Sequence, residues 1–324
     1  MKKKLPVILC CVFGVIALAF GGLTAKNIID GKDSAGEEET VYQLADTVRT
    51  AYLSEEINAL KTNKMKNAGY PEGILEKMKP AYAINKNVVG HLSIPGTELD
   101  TVIVQGADNS RYLTYNLYEN WTSEVSSTNY GNIFLDYRCS KDAQISKNMV
   151  FHGHTTGKSD RIPKQAFRSL YDYRDLKHFK ECPIIKYDSL YGEYTYKICA
   201  VFYSTTQPSA DNGYFFNFIY PDMSDSNMVG YIEQVKQRQL YDTGVSLEPT
   251  DSIITLSTCI YDYGGSVDTR LVVVGRLLHE GEDESIDTSL VKDNPDYRRP
   301  QVWYNSKGKT NPYKDSAKWE PSPY

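Results

Sequence analysis

A single thiol at the end of an apolar run is the first feature of the sequence that could do covalent chemistry. Residues 252–277 read SIITLSTCIYDYGGSVDTRLVVVGRL, so one β-like run reaches Cys259 and a second opens at Arg270 after a polar loop. Alternation along the first run places Ser257 and Cys259 on one face of the strand. A free thiol, with a pKa of about 8.5, is only partly ionised at neutral pH. Cys259 therefore needs an activating group.

Histidine is the usual partner of a reactive thiol, and two of the five histidines stand close together in NMVFHGH. Alternation places His152 and His154 on the same strand face, with His154 at the end. Two imidazoles on one face could also bind a metal. No acidic or cysteine ligand lies nearby in the sequence, so we predict no metal and no cofactor. His154 is the candidate general acid and base.

Arg270 completes a possible catalytic set, because it begins the apolar run that follows the cysteine loop. If the two runs pair as a hairpin, the guanidinium lies near the thiol and can hold a developing oxyanion. The alternative is a surface salt bridge to Asp268 or Asp262. Taken together, the three residues predict a nucleophile, a base and an oxyanion donor at neighbouring strand ends.

These residues must be positioned by strands, which the sequence predicts from about residue 87 onwards. Short β-branched and aromatic runs separated by turn residues are typical of an all-β barrel or sandwich. One helix is predicted over residues 224–242, with Ser224 or Ser226 as its N-cap. A shorter helix is predicted over residues 73–78, ending before Pro80.

The N-terminus predicts attachment to a membrane. Residues 2–4 are lysines, and residues 5–25 carry no charge, a span long enough to cross a hydrocarbon core as a helix. The positive-inside rule then leaves residues 1–4 in the cytoplasm and everything after Lys26 outside. A cleaved signal peptide is the alternative, although the apolar run is long for one.

The remaining segments flank a predicted catalytic domain at residues 85–279. We expect a flexible spacer at 26–40, a helical lead at 41–84, and a polar C-terminal extension at 280–324 that is either wrapped or disordered. The net charge of −5 argues against a nucleic-acid binder. Of the other exported cysteines, Cys199 is predicted to be a buried small hydrophobe, while a bridge between Cys139 and Cys182 stays open.

The sequence resembles the sortases, the membrane-anchored cysteine transpeptidases of Gram-positive bacteria. The resemblance rests on TLSTC, on GH after an apolar run, and on the arginine after the cysteine loop, in the family's order. VIVQGADNSRYL, GNIFLDYR and the helix before the cysteine strand resemble class B in particular. The resemblance implies an eight-stranded sortase β-barrel with N-terminal helices.

The resemblance also implies roles for particular residues. Cys259 would be the nucleophile, His154 the general acid and base, and Arg270 the group that stabilises the transition state. The family cleaves a sorting signal after its threonine and passes the acyl group to an amine of peptidoglycan or a pilin. Class B patterns further suggest substrate-groove roles for four residues, Asn109, Leu113, Tyr214 and Ser257.

This chain departs from the class B pattern at two positions. His152 stands where a tyrosine is common, and it is included among the predicted groove residues. Ile260 stands where an acidic residue is frequent, so the sorting motif, NPxTN-like or xPxTG-like, is left open. Two other functions are weighed: a cysteine hydrolase, which usually places its thiol at a helix start before the histidine, and a non-catalytic surface binding module.

Overall fold

The computed structural model describes residues 69–119, 131–155, 167–261, 263 and 268–321. The predicted anchor at 5–25, the spacer at 26–40 and most of the helical lead at 41–84 lie outside the described residues. From residue 69 onwards, no described helix combines the length and the apolar character needed to cross a membrane.

Eight strands close into a barrel in the order β1-β2-β3-β4-β8-β9-β6-β5, which confirms the predicted architecture. The barrel strands are β1 (Val88–Ser93), β2 (Asp100–Val104), β3 (Phe134–Leu135), β4 (Asn148–Gly153), β5 (Ile184–Ser189), β6 (Glu193–Thr205), β8 (Ile253–Ile260) and β9 (Thr269–Leu277). A separate two-stranded sheet pairs β7 (Tyr241–Asp242) with β10 (Lys292–Asp293).

The alternation of side chains decides which face of the barrel wall carries chemistry. Phe151 and Leu256 are register partners on β4 and β8, and both are fully buried. Phe151 also contacts Tyr187 of β5, with ring centroids 5.0 Å apart, although β4 and β5 are not neighbours in the barrel. This face therefore points into the barrel interior. The residues that alternate with it, including Cys259, point outward.

The outward face is partly covered by the long connection between β6 and β7. It contains a 3₁₀ helix, Pro208–Asp211, and the helix α4, Asp225–Arg238. Ser224 is the N-cap of α4, since its hydroxyl accepts a hydrogen bond from the Asn227 amide at 3.1 Å. The predicted helix over 224–242 is too long by one turn, because residues 241–242 instead pair as β7.

The remaining helices are short and connect strands. They are α1 (Lys79–Ile84), α2 (Arg111–Thr114), α3 (Leu176–Glu181) and α5 (Gln301–Ser306), with 3₁₀ helices at Glu76–Met78 and Phe167–Arg174. The prediction that a helix ends before Pro80 is wrong. Pro80 instead lies in the first turn of α1, where its missing N–H leaves no hydrogen bond unmade.

The C-terminal segment, residues 280–321, wraps onto the domain, which decides between the two predicted alternatives. Trp319 is 7% exposed and packs over Gly230 of α4. Arg298 and Asp211 are both buried and form an ion pair at 3.2 Å. The segment therefore adds buried surface to the connection between β6 and β7.

Three of the four cysteines among the described residues are buried thiols. Cys139, Cys182 and Cys199 are each free, so the possible bridge between Cys139 and Cys182 is not formed. Cys199 is 5% exposed, which confirms its prediction as a small core residue. Cys259 differs from these three, because its residue is half-buried.

Candidate active site

Three strand ends meet at one rim of the barrel. Cys259 of β8 lies directly opposite Arg270 of β9 in an antiparallel ladder. On the other side of β8, the parallel pairing with β4 ends at Gly153 opposite Thr258. His154 is the first residue after β4, and Cys259 is the next residue along β8, so the two residues lie at the same level of the sheet. Local alternation and register thus bring the three predicted catalytic residues to one outward-facing row.

The Cys259 thiol lies in a partly desolvated environment. Burial raises the pKa of this thiol, the Arg270 cation opposes that rise, and the Asp268 carboxylate adds to it. The neutral thiol therefore dominates at neutral pH, because burial penalises the charged form. Within the described residues, no hydrogen bond joins the sulfur to His154 or Arg270.

His154 is held by a main-chain carbonyl rather than by a carboxylate. Its Nε2 lies 2.9 Å from the main-chain oxygen of Leu113, which belongs to the short helix α2. A carbonyl only accepts, so Nε2 carries the proton and donates it to this bond. In the neutral ring the lone pair then lies on Nδ1, which is the nitrogen left to exchange a proton with the thiol.

Arg270 is fixed by a carboxylate two residues earlier in the chain. Nη1 donates to Asp268 Oδ1, and Nη2 donates to Asp268 Oδ2 at 3.1 Å. Nη1 also donates to the Thr269 carbonyl at 3.3 Å. The ion pair with Asp268 considered as an alternative is thus present, and it lies beside Cys259, because Arg270 is the register partner of Cys259.

A buried carboxylate lies behind the row. Asp136 is fully buried and accepts hydrogen bonds from His152 Nε2 at 3.0 Å, from Asn109 Nδ2 at 2.8 Å, and from Arg138 Nε and Nη2 at 2.8 Å each. Burial alone would raise the pKa of Asp136, but the bonds from Arg138 and His152 outweigh it and hold that pKa well below its usual range. The group is therefore a carboxylate at any physiological pH.

The comparison with known families settles the class of protein. The sortase domain family matches residues 92–278, which is more than half of the chain. The chain belongs to the sortase family. That membership makes it a cysteine transpeptidase of the Gram-positive cell surface.

The relatives of this sortase support the class B assignment. Sortase B of Listeria monocytogenes serovar 1/2a is 28% identical over 240 residues, which are 73% of this chain and 88% of that protein. Sortase B of Staphylococcus aureus is 26% identical over 279 residues, 86% of this chain and 98% of that one. A solved Staphylococcus aureus sortase B–substrate complex shares the fold, with a TM-score of 0.53 at 24% identity, over 72% of this chain and 98% of that chain.

The predicted groove residues of this sortase fall into two sets. His152 and Ser257 are register partners on β4 and β8. Each lies two residues before His154 or Cys259, on the same outward face. Ser257 is nonetheless only 3% exposed. The Leu113 side chain is 38% exposed beside the His154 contact, so it has an open apolar surface. These three residues surround the row.

Asn109 and Tyr214 have structural contacts instead of free polar atoms. Asn109 donates to Asp136, and its oxygen accepts from the Tyr137 amide at 3.0 Å. Tyr214 is 5% exposed, and its hydroxyl lies 3.2 Å from the Trp319 carbonyl and accepts from the Trp319 amide at 2.9 Å. Tyr214 therefore lies beneath the C-terminal segment in this structure.

Three residues hold the site together: the sequence predicted no role for Asp136 or Gly131, and it offered Asp268 only as a surface salt-bridge partner of Arg270. Asp136 binds His152, Asp268 binds Arg270, and Gly131 packs against the end of α2. A Cβ on Gly131 would lie 2.2 Å from the Tyr112 oxygen and 2.7 Å from the Leu113 oxygen that holds His154. Only Asp268 had a sequence signal, its position two residues before the predicted oxyanion donor.

Proposed function

We propose that this chain is a membrane-anchored transpeptidase that cleaves a C-terminal sorting signal after its threonine and joins the protein to a cell-surface amine. The observation that carries this proposal is the direct pairing of Cys259 with Arg270 beside the strand end that carries His154. Family membership supports the reaction type, whereas the roles of the three residues are argued from their chemistry.

In the first half-reaction, the Cys259 sulfur attacks the threonine carbonyl carbon while His154 takes the thiol proton. The carbonyl oxygen becomes an oxyanion, which the Arg270 guanidinium stabilises through charge and N–H donors. His154 then protonates the leaving nitrogen, the peptide bond breaks, and a thioester remains on Cys259. The raised pKa of the thiol makes proton removal by the imidazole a necessary part of this step.

In the second half-reaction, an amine of peptidoglycan or of a pilin attacks the thioester carbon. His154 removes one proton from the attacking nitrogen, and the carbon–sulfur bond breaks to return Cys259 as a thiol. A new amide bond joins the two proteins, or the protein and the peptidoglycan. The acceptor must enter from the outward face, because the other face of β8 packs into the barrel interior.

We further propose that residues 5–25 anchor the enzyme as a single-pass protein with its catalytic domain outside. The uncharged span and the three preceding lysines support this arrangement. An enzyme held at the outer membrane surface meets exported proteins before they leave the cell. Its substrates are then surface proteins carrying an NPxTN-like or xPxTG-like motif.

A pentapeptide library carrying both motif types, with a fluorophore and quencher on either side of the threonine, tests the function. Wild-type enzyme should cleave one motif class, and an added amine should appear in the product. Cys259→Ala should lose both activities and the thioester adduct that mass spectrometry detects. Cleavage with only water as acceptor at saturating amine would favour the hydrolase, and full activity of Cys259→Ala would favour the binding module.

Arg270→Ala separates transition-state stabilisation from substrate binding. Loss of an oxyanion donor should lower kcat by about 10²-fold, with a smaller change in KM. Arg270→Lys is the matched control, since it keeps the charge but loses the planar set of donors. If Arg270→Ala raised only KM, the arginine would bind substrate and not the transition state.

A further inference from the structure

The Arg270 guanidinium has two edges that can each donate a pair of hydrogen bonds, and among the described residues only one edge has acceptors. The end of the guanidinium, Nη1 and Nη2, faces the Asp268 carboxylate. The second proton of Nη1 goes to the Thr269 carbonyl. Among the described residues, none accepts a hydrogen bond from Nε, so the edge formed by Nε and the remaining Nη2 proton is left unpaired.

Asp268 is itself held by the chain that follows β6. The Thr206 hydroxyl donates to Asp268 Oδ2, and the Thr205 hydroxyl donates to the Asp268 carbonyl at 2.9 Å. The Asp268 amide donates to the Gln207 side chain at 3.3 Å. Both carboxylate oxygens and both main-chain polar groups of Asp268 are thus engaged, which leaves the carboxylate little freedom to turn.

The contacts with Asp268 fix the side chain of Arg270, which its position near the start of β9 would leave free to move. Arg270 is the second residue of β9, next to a polar loop, and its side chain is 20% exposed. A long side chain at such a site samples many rotamers unless a partner restrains it. A carboxylate that takes the end of the guanidinium removes that freedom and still leaves two parallel N–H donors for an oxyanion.

Resting on the proposed function, we propose that Asp268 is a positioning residue that aims the Nε–Nη2 edge of Arg270 at the oxyanion formed over Cys259. Thr205, Thr206 and Gln207 are its supports. The ion pair is therefore part of the catalytic geometry, and it does not have to break for the arginine to act.

The proposal predicts a specific kinetic change. Asp268→Asn keeps the volume and one acceptor oxygen, so kcat should fall about tenfold, while Asp268→Ala should lower it about 10²-fold, with KM changed less than kcat in both. Asp287→Asn is the matched control, since Asp287 is exposed and its carboxylate accepts hydrogen bonds only from Ser289 among the described residues. It should leave both constants unchanged.

A second readout does not depend on turnover. Among the described residues, four groups with charge or a titratable proton lie on the elements around the thiol: Asp268 just before β9, Arg270 in β9, Tyr261 after β8, and His154 after β4. Removing the negative charge of Asp268 should shift the pH dependence of Cys259 alkylation by iodoacetamide to lower pH. Removing the cation in Arg270→Ala should shift it to higher pH. These shifts test whether the charge of Asp268 reaches the thiol, whereas a merely structural aspartate would lower stability without the selective fall in kcat.

The outcomes separate two kinds of failure. If wild-type enzyme cleaves no sorting peptide, the proposed function fails, whereas the alkylation profiles still report on the charge at Asp268. If wild-type enzyme is active but Asp268→Asn keeps full kcat, or changes only KM, the positioning role is overturned. An unchanged alkylation profile in Asp268→Asn would equally overturn it.

Discussion

Gly230 and Trp319 allow a sharp test of how the C-terminal segment is joined to the domain. Gly230 lies inside α4, where glycine costs about 1 kcal/mol relative to alanine. A Cβ on Gly230 would lie 2.3 Å from Trp319 Cδ1. The indole also donates to the Asn227 carbonyl at 2.8 Å. The glycine therefore gives up helix propensity so that the tryptophan can lie against the helix backbone.

The structure sets the sign and size of each substitution. Trp319→Ala removes a nearly buried indole and should destabilise the protein by about 4 kcal/mol. Gly230→Ala should cost at most about 3 kcal/mol in the wild-type background, because displacing the indole costs about 4 kcal/mol and the alanine regains about 1 kcal/mol. In the Trp319→Ala background, the same change should stabilise by about 1 kcal/mol. The coupling energy is then about −4 kcal/mol.

Urea unfolding followed by far-UV circular dichroism measures all four corners of this cycle. Val229→Ala is the control, because Val229 is exposed on the same helix and should change stability by less than about 0.5 kcal/mol. The reasoning is refuted if Gly230→Ala does not change sign between the two backgrounds. In that case Trp319 does not occupy the space over Gly230, and the segment is not docked as the structure has it.

Three further predictions concern the supports of the site and of the barrel. Asp136→Asn should destabilise the protein by about 2–3 kcal/mol, because Arg138 loses a charged acceptor in a buried site. Gly131→Ala should destabilise by a similar amount, about 2–3 kcal/mol, and lower kcat, because the φ of +64° and the clash both oppose a Cβ. Glu282→Gln should cost about 2–3 kcal/mol at pH 7, because it leaves the buried Arg276 cation without its carboxylate. Hydrogen bonds from Arg276, which outweigh the burial of this carboxyl, lower the pKa of Glu282, so stability from that group is present above its ordinary pKa and is lost as the pH falls below it.

Each of these predictions has a control variant, a further measurement or an outcome that would contradict it. Gly213→Ala has a comparable φ of +75° but meets no atom within 4 Å, so it isolates strain from the clash at Gly131. Equal losses for the two glycines would show that the Leu113 carbonyl is not crowded. For Glu282→Gln, urea unfolding at pH 7 and pH 3 should show a smaller pH dependence than in wild type. For Asp136→Asn, an unchanged unfolding midpoint would show that the buried network adds no stability.

The sequence predicted the positions of Cys259 and His154 at strand ends because those positions follow from local rules. Alternation places Ser257 and Cys259 on one face, and the apolar run before His154 predicts a strand that ends at that residue. Both patterns depend on residues within one strand. The sequence did not contain the register of β4 against β8, which the structure supplies, and only this register brings His154 level with Cys259.

The supporting residues could not be predicted in the same way, because their partners lie far along the chain. Asp136 follows β3 and accepts a hydrogen bond from His152 of the neighbouring strand β4, 16 residues later. Asp268 accepts a hydrogen bond from Thr206, 62 residues earlier. Tyr214 was predicted from class B patterns to line the groove. Its hydroxyl instead meets the main chain of Trp319, 105 residues later. A contact of that separation has no periodic signal in either segment.

The same connection contacts both Asp268 and the C-terminal segment. Its first residues, Thr206 and Gln207, hold Asp268 beside Arg270. A few residues later, Asp211 binds the Arg298 side chain and accepts from the Gln301 amide at 3.0 Å. The family match ends at residue 278, so the segment that supplies these last contacts lies beyond it. The connection between β6 and β7 is therefore held at its start by contacts with Asp268 at the barrel rim, and further along by contacts with the C-terminal segment. These contacts explain how a polar segment without periodicity can be ordered on this enzyme.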